Sequence, residues 1–317
     1  MAFNWQTFRT RTLTAIIFAA VMLLGLLWNQ WSFLVLFSVI HFGCWWEYFR
    51  LMEKIYTTTF HIYTKLGLML LGYGLMLWFC GPAFNISGYG LKENFSLPVS
   101  AAGFGLLMIG IFQKNKIELK SFGAAALGLL YISLSWGLMM SLKSGFFWLP
   151  EGLDVYFQRV NDDKLSASEL VNTWIQIEML GLLVCIITIF SIWINDTMAY
   201  IVGSLIGKKI LSKISPKKTW EGTIGGIILS IVVVGTVFIY LLDLKVYNYP
   251  IYHWYSIPAI ASIVGTFGDL LESKLKRMAG VKDSGHIMPG HGGFLDRFDS
   301  LLIATPFVWL YVNFIMH

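Results

Sequence analysis

Charge is what this sequence has least of. Only 13% of its 317 residues are Asp, Glu, Lys or Arg, against about a quarter in an ordinary soluble domain. The deficit runs the length of the chain and excludes a soluble body carrying one anchor. Cysteine is nearly missing as well. Cys44, Cys80 and Cys185 lie in or beside apolar runs without metal-ligand spacing, so they read as small buried hydrophobes and offer no disulfide framework. No internal repeat or low-complexity tract is present, which leaves a single membrane domain over residues 1–317. Within it, residues 1–174 supply N-terminal helices and 175–317 the chemistry-bearing ones. What fills the chain is apolar: 56% hydrophobic residues and a mean hydropathy of +0.67. The 13 tryptophans read as interfacial anchors and lipid-facing bulk. They are not a base-stacking platform, so no nucleic-acid partner is expected.

The apolar residues come in runs: Leu13–Leu27, a second run on to Trp46, then 62–80, 98–113, 122–142, 175–194, 223–242, 252–271 and 301–316. Most approach the ~20 residues that cross a bilayer as a helix. The expectation is an all-α polytopic membrane protein of about nine transmembrane helices. Trp28–Trp31 lacks a cleavage signal and a second apolar run follows at once, so the first run is a helix rather than a signal peptide.

The loops agree with that count. With the N-terminus inside, the inner segments carry Arg9 and Arg11, Arg50 and Lys54, Lys114, Lys116 and Lys120, and the lysines 208, 209, 213, 217 and 218. The outer segments carry Trp28–Trp31 without charge, Lys92 with Glu93, Asp243 with Lys245, and an acidic 143–173 loop. Such alternation places the N-terminus in the cytoplasm, the C-terminus outside, and every polar cluster on the cytoplasmic face. Two N-x-S sequons, Asn85 and Asn94, fall in one outer loop and carry little weight.

Polar chemistry collects in three places. The first is Asn195–Tyr200, where Asp196 directly follows an apolar span. Such a residue is costly there unless paired or metal-bound, although a helix end in the headgroup zone also explains it. The second is Ser215–Gly222, with Pro216 stiffening a turn, Lys217 and Lys218 offering charge, and Thr219 and Glu221 where a helix begins. Free amides at a helix start suit an anion, while an ordinary positive-inside cluster is the plainer reading.

The third and densest is Gly268–Asp299. Asp269 and Glu272 share one helical face at i, i+3, and Asp296 and Asp299 repeat that spacing beyond a Gly-His-Gly-Gly turn. Glycines admit backbone amides to an anion, lysines and Arg297 neutralise it, and the oxygen-only acids favour Mg²⁺ over zinc. His286 and His291 lack a third partner for zinc and suit hydrogen bonding to phosphate or carboxylate. Any one of the acids would equally pair with Lys274, Lys276 or Arg297.

These strings resemble the signature of the phosphatidate cytidylyltransferase (CDP-diacylglycerol synthase) family. The run is Ser273 with Lys276-Arg277, Lys282-Asp283, Pro289-Gly-His-Gly-Gly293 and Asp296-Arg-x-Asp299. Asp196-Thr-x-Ala-Tyr200 and Ser215-Pro-Lys-Lys-Thr-x-Glu-Gly222 match the family's other elements. The likeness is strong over Asp196–Asp299 and loose before it, through Arg11-Thr-Leu-Thr and Trp46-Glu47.

The resemblance implies transfer of CMP from CTP to phosphatidic acid, giving CDP-diacylglycerol and pyrophosphate, in a bacterial inner membrane and with a homodimer as the expected assembly. Expected catalytic residues are Asp269, Asp296, Lys282 and Arg297. Asp269, Asp296, Asp299 and Glu272 are the expected Mg²⁺ set. Substrate contacts fall to Asp196, Ser215, Lys217, Lys218, Thr219, Glu221, Ser273, Lys276, Arg277, His291, Gly292 and Gly293. A transporter would instead place acids near helix centres. A polyprenol kinase or an archaeal ether-lipid synthase would share the phosphate features and differ in the lipid pocket.

Overall fold

A computed structural model describes residues 5–113, 118–145, 167–241, 249–285, 287 and 292–316. Among them the chain is helical almost throughout. Its helices are α1 (Trp5–Leu27), α2 (Gln30–Ile55), α3 (Ile62–Trp78), the short α4 (Leu91–Asn94), α5 (Ser96–Ile111) and α6 (Leu119–Ala126). A π-helical stretch at Leu129–Leu134 leads into α7 (Ser135–Ser144), followed by α8 (Ala167–Ile206), α9 (Trp220–Leu241), α10 (Ile251–Met278) and α11 (Leu295–Phe314). One two-stranded hairpin, β1 (Asn85–Ile86) with β2 (Tyr89–Gly90), is the described sheet.

Where described, each apolar run read from the sequence is mostly helical, the 122–142 run being shared among α6, the π-helical stretch and α7. Five segments are long and apolar enough to cross a membrane: Gln30–Ile55, Leu91–Ile111, Leu119–Ser144, Ile175–Ile206 and Trp220–Tyr240. Thr12–Leu27 and Ile62–Trp78 are apolar but shorter. Residues such as Ile16, Leu24, Val35, Leu97, Phe104 and Val232 are more than half exposed, an apolar surface that water would penalise and hydrocarbon would not.

One expectation is corrected, and one of two open readings is decided. The 143–173 loop is already helical from Ala167, because no Gly or Pro interrupts the chain between Ala167 and Leu180. Asp196 does not end a helix either. It lies within α8, which continues to Ile206; at 40 residues that helix is about 60 Å long. Lys114, Lys116, most of the acidic loop, Asp243 and Lys245 lie outside the described residues.

The chain divides into two compact units, with boundaries inside α7, α10 and α11. One comprises Met1–Trp78, Phe84–Gly137 and Phe267–Ile303. There α3 and α5 approach backbone to backbone: a Cβ on Gly67 would stand 2.6 Å from the Leu107 amide, and one on Gly103 2.5 Å from that of Leu71. Small residues allow such helix contacts where no hydrophobic drive separates protein from lipid. Helix α2 begins with a capping box, Asn29 with Ser32. Inside the unit Ser133 receives the Trp45 indole N–H at 2.8 Å, and Ser135 donates to the Leu302 carbonyl at 2.6 Å.

The other unit comprises Phe79–Ala83, Leu138–Thr266 and Ala304–His317. Its α8 and α9 pack through glycine: Gly222 meets the Ala199 carbonyl and Gly226 that of Asn195. A buried serine chain, Ser262 to Ser230 to the Ser191 carbonyl, joins α10, α9 and α8 at 3.0 and 2.8 Å.

Candidate active site

In the first unit the end of α10, the following loop and the start of α11 form one charged cluster. Gly268 lets α10 approach α11 closely, since a Cβ there would sit 2.5 Å from the Asp299 carbonyl. Beyond it the helix presents Asp269, then Glu272, which has no solvent exposure. The Lys276 ammonium pairs with Glu272 one turn earlier and, across the loop, with Asp296 Oδ1 at 2.7 Å. Gly280, at φ +67°, then turns the chain off the helix in the left-handed conformation that glycine tolerates.

The loop is held by two carboxylates. Asp296 Oδ2 accepts hydrogen bonds from the Ser284 amide at 2.9 Å and the Gly293 amide at 2.8 Å. Glu47 of α2 reaches the same turn from nearly 250 positions away. Its Oε1 accepts from the Phe294 amide at 3.0 Å and its Oε2 from the Leu295 amide at 2.9 Å. The first amides of a helix have no partner in the helix itself, so Glu47 caps α11 from outside. The Ser284 hydroxyl stands 2.7 Å from Glu47 and 2.9 Å from Asp296, and its one proton serves either.

Two glycines follow from this. Gly292 sits at φ +84°, and a Cβ on Gly293 would stand 2.2 Å from the Glu47 carboxylate. Glu47 is the site residue that sequence reasoning passed over. An acid directly after an apolar run was the available signal.

The acids differ in proton affinity. Burial, then the neighbouring Asp299 charge, raises Glu272 to about 9, against the pull of Lys276. Burial also works against the Asp296 carboxylate, but the Lys276 and Gly293 hydrogen bonds outweigh it and bring that group down to about 2. Apart from its ion pair, neither Glu272 oxygen receives a regular hydrogen bond. A buried, under-satisfied carboxyl beside Asp299 has the oxygen donors a hard cation takes, and a cation's charge would oppose the burial and the Asp299 charge that raise it. Among the described residues, however, no three His, Cys, Asp or Glu side chains stand ready around one point, and Lys276 lies between Glu272 and Asp296.

Ser273 is buried in the same unit, while Arg277, Lys282 and Arg297 are exposed. Arg277 Nη1 lies 3.5 Å from the Val281 carbonyl. His291 falls outside the described residues.

The second unit gathers the remaining predicted residues. Lys208–Thr219 folds back on itself: Ile210 bridges Thr219, and the Leu211 amide donates to the Lys218 carbonyl at 2.8 Å. Its tip is a turn over Ser215–Lys218, closed at 3.1 Å, with Pro216 at the position that suits its fixed φ. Thr219 Oγ1 accepts from the Gly222 amide at 3.2 Å, starting α9 as the sequence suggested. Glu221 accepts from the Lys208 and Lys209 amides at 3.1 and 3.2 Å, so its carboxylate is taken up in closing the hairpin. Asp196 is exposed on α8, one turn before Ala199.

The fold and site together define an apolar helical protein whose acids and bases gather at the ends of two late helices. The chain belongs to the cytidylyltransferase family, whose model matches residues 9–315. It is 33% identical over 248 residues to the phosphatidate cytidylyltransferase of Staphylococcus saprophyticus, covering 76% of this chain and 89% of that protein. It is also similar to the phosphatidate cytidylyltransferases of Staphylococcus haemolyticus, 50% identical over 116 residues, and Bacillus subtilis, 47% over 119 residues. Those two alignments span 36% and 37% of this chain and 43% of each relative.

Proposed function

We propose that the protein transfers CMP from CTP to phosphatidic acid, producing CDP-diacylglycerol and pyrophosphate. The observation that carries this reading is the buried Glu272–Lys276–Asp296 cluster tied to a glycine-bounded loop, in a chain whose relatives are named for that activity. An oxygen of the lipid phosphate attacks the α-phosphorus of CTP, and the bond to the departing pyrophosphate breaks. The nucleophile is already anionic near neutral pH, so the barrier is charge repulsion, and fixed cations are what lower it.

Lys217, Lys218, Lys282 and Arg297 are the residues for the phosphates. Gly292 and Gly293 allow the backbone close to the nucleotide. Asp269, Glu272 and Asp299 are the acids for Mg²⁺, with Asp296 Oδ1, whose contact is Lys276, completing the set. A bound Mg²⁺ would neutralise phosphate charge and orient the leaving group. The polar clusters face the cytoplasm, the N-terminus is inside, and about nine helices cross a bacterial inner membrane, as the alternation of lysine and arginine in the loops supports. A homodimer of single-domain subunits is part of the same reading.

The test is purified protein with phosphatidic acid, Mg²⁺ and CTP labelled in turn on cytosine and on the γ-phosphate. Cytosine label in the lipid phase, absent without Mg²⁺, is the expected result. γ-label in lipid would mean a kinase, and no lipid label would refute transfer. Asp269→Asn is expected to lower turnover at least a hundredfold and to raise the Mg²⁺ needed for half-maximal rate. Asp296→Asn would also loosen the turn that Asp296 holds together.

A further inference from the structure

Outside the cluster just described lies a cavity of about 310 Å³, between the C-terminal end of α2 and the loop after α10. It is lined by Arg50, Leu51, Lys54 and Val281–Gly285. Three cations, Arg50, Lys54 and Lys282, line it with one acid, Asp283, and all four are exposed. Among the described residues none of the three has an acid within ion-pair distance.

On α2 the neighbouring acid Glu53 is turned to other partners through one oxygen. Glu53 Oε1 is engaged by Lys65 and by the Phe60 amide, both at 2.8 Å. The Arg50 guanidinium lies 5.8 Å from the centre of the Trp46 ring, an apolar support that leaves its N–H fork unspent.

The walls are fixed to each other. Glu47 stands one helical turn before Arg50 and Leu51, and it bonds Ser284, itself a wall of the cavity. Charge from two segments more than 200 positions apart is thereby focused on one concavity. A positive-inside bias accounts for lysines near a membrane surface. It does not account for their convergence on a cavity whose two sides are pinned by a buried carboxylate.

We propose that Arg50 and Lys54 of α2, with Lys282, form a binding pocket for a phosphate group. The ligand is the polyphosphate end of the nucleotide or the phosphate of the lipid. A planar arginine fork beside two point charges suits a multiply charged phosphate better than a carboxylate. The pocket joins the acid cluster through Ser284, shared by Glu47 and Asp296. Thus the N-terminal half of the chain supplies part of the substrate site. This rests on the transfer reading above and extends it.

The variants are Arg50→Gln, Lys54→Gln, the double variant, and Arg50→Lys, which keeps charge and membrane orientation but loses the fork. Two measurements are made on the full-length protein in detergent: steady-state kinetics in both substrates, and the rise in unfolding temperature produced by inorganic pyrophosphate alone. The double variant is expected to raise one KM about tenfold or more at unchanged unfolding temperature, with Arg50→Lys intermediate. A shift in KM for CTP together with loss of the pyrophosphate effect assigns the pocket to the nucleotide. A shift confined to phosphatidic acid assigns it to the lipid. Unchanged KM values with an unchanged pyrophosphate effect overturn the proposal. Because the pyrophosphate measurement needs no turnover, an Arg50-dependent effect in a protein that transfers no cytidylyl group would keep the pocket and reject the activity. If the glutamine variants unfold early, Arg50→Lys decides, and wild-type kinetics there would overturn the role of the fork.

Discussion

Replacing Glu47 tests how the loop between α10 and α11 is built. Glu47 is 1% exposed, and its carboxylate takes three donors: the Phe294 amide on one oxygen, the Leu295 amide and Ser284 hydroxyl on the other. In Glu47→Gln one oxygen becomes a second donor. The amide settles with its remaining oxygen toward Leu295 and Ser284, which sets its NH₂ against the Phe294 N–H. One buried backbone donor then loses its partner, at a cost of roughly 1–3 kcal/mol. In Glu47→Ala two amides are orphaned, for roughly 2–6 kcal/mol, while Ser284 turns wholly to Asp296.

Amide hydrogen exchange reads this locally. If opening of the α11 start is cheaper by 1–3 kcal/mol, the Phe294 and Leu295 amides of the glutamine variant exchange roughly 5- to 150-fold faster, since about 1.4 kcal/mol is a factor of ten. Amides in the middle of α3 and α5 are expected to keep their rates. Cytidylyl transfer is expected to fall with the exchange protection, alanine below glutamine. Wild-type exchange at Phe294 and Leu295 in Glu47→Ala would show that the cap is not what holds this helix start, and the argument for a pinned pocket would fall with it.

Gly293→Ala drives a methyl group to 2.2 Å from the Glu47 carboxylate, so turnover and the unfolding temperature are expected to drop together. Shortening the opposing side chain in the double variant Gly293→Ala, Glu47→Asp should recover part of the unfolding temperature, and no recovery would mean the collision is not with Glu47. Membrane sidedness is accessible because Cys44, Cys80 and Cys185 are all buried and the wild-type background is expected to be silent to an impermeant thiol reagent. In intact cells Lys92→Cys should label and Lys282→Cys should label only after lysis; the reverse order would invert the assigned topology.

Much of this was legible from residue order. Helices were readable because apolar runs near bilayer length leave the backbone little else to form. The Thr219–Gly222 helix start and the Ser215–Lys218 turn followed from capping and proline chemistry that acts within a few residues. Misreadings arose where local signals were weak. Nothing polar enough marks the true limits of α8, so the helix begins before its apolar window and runs on past Asp196. Glu47 entered only through the loose Trp46-Glu47 likeness and with no role, because its partners lie nearly 250 positions away and no spacing rule reaches that far.

Sequence alone therefore determined the class of the molecule, the residue types of its chemistry and the turn-forming glycines, all of which depend on composition or on neighbours in the chain. Tertiary structure alone decided how the acids are used. Lys276 pairs with both Glu272 and Asp296, Asp296 and Glu47 hold the loop, and α2 brings its cations to the cavity that Lys282 also lines. Those roles depend on burial and on distances between remote segments, which set proton affinity and hydrogen-bond supply and are written in no local pattern.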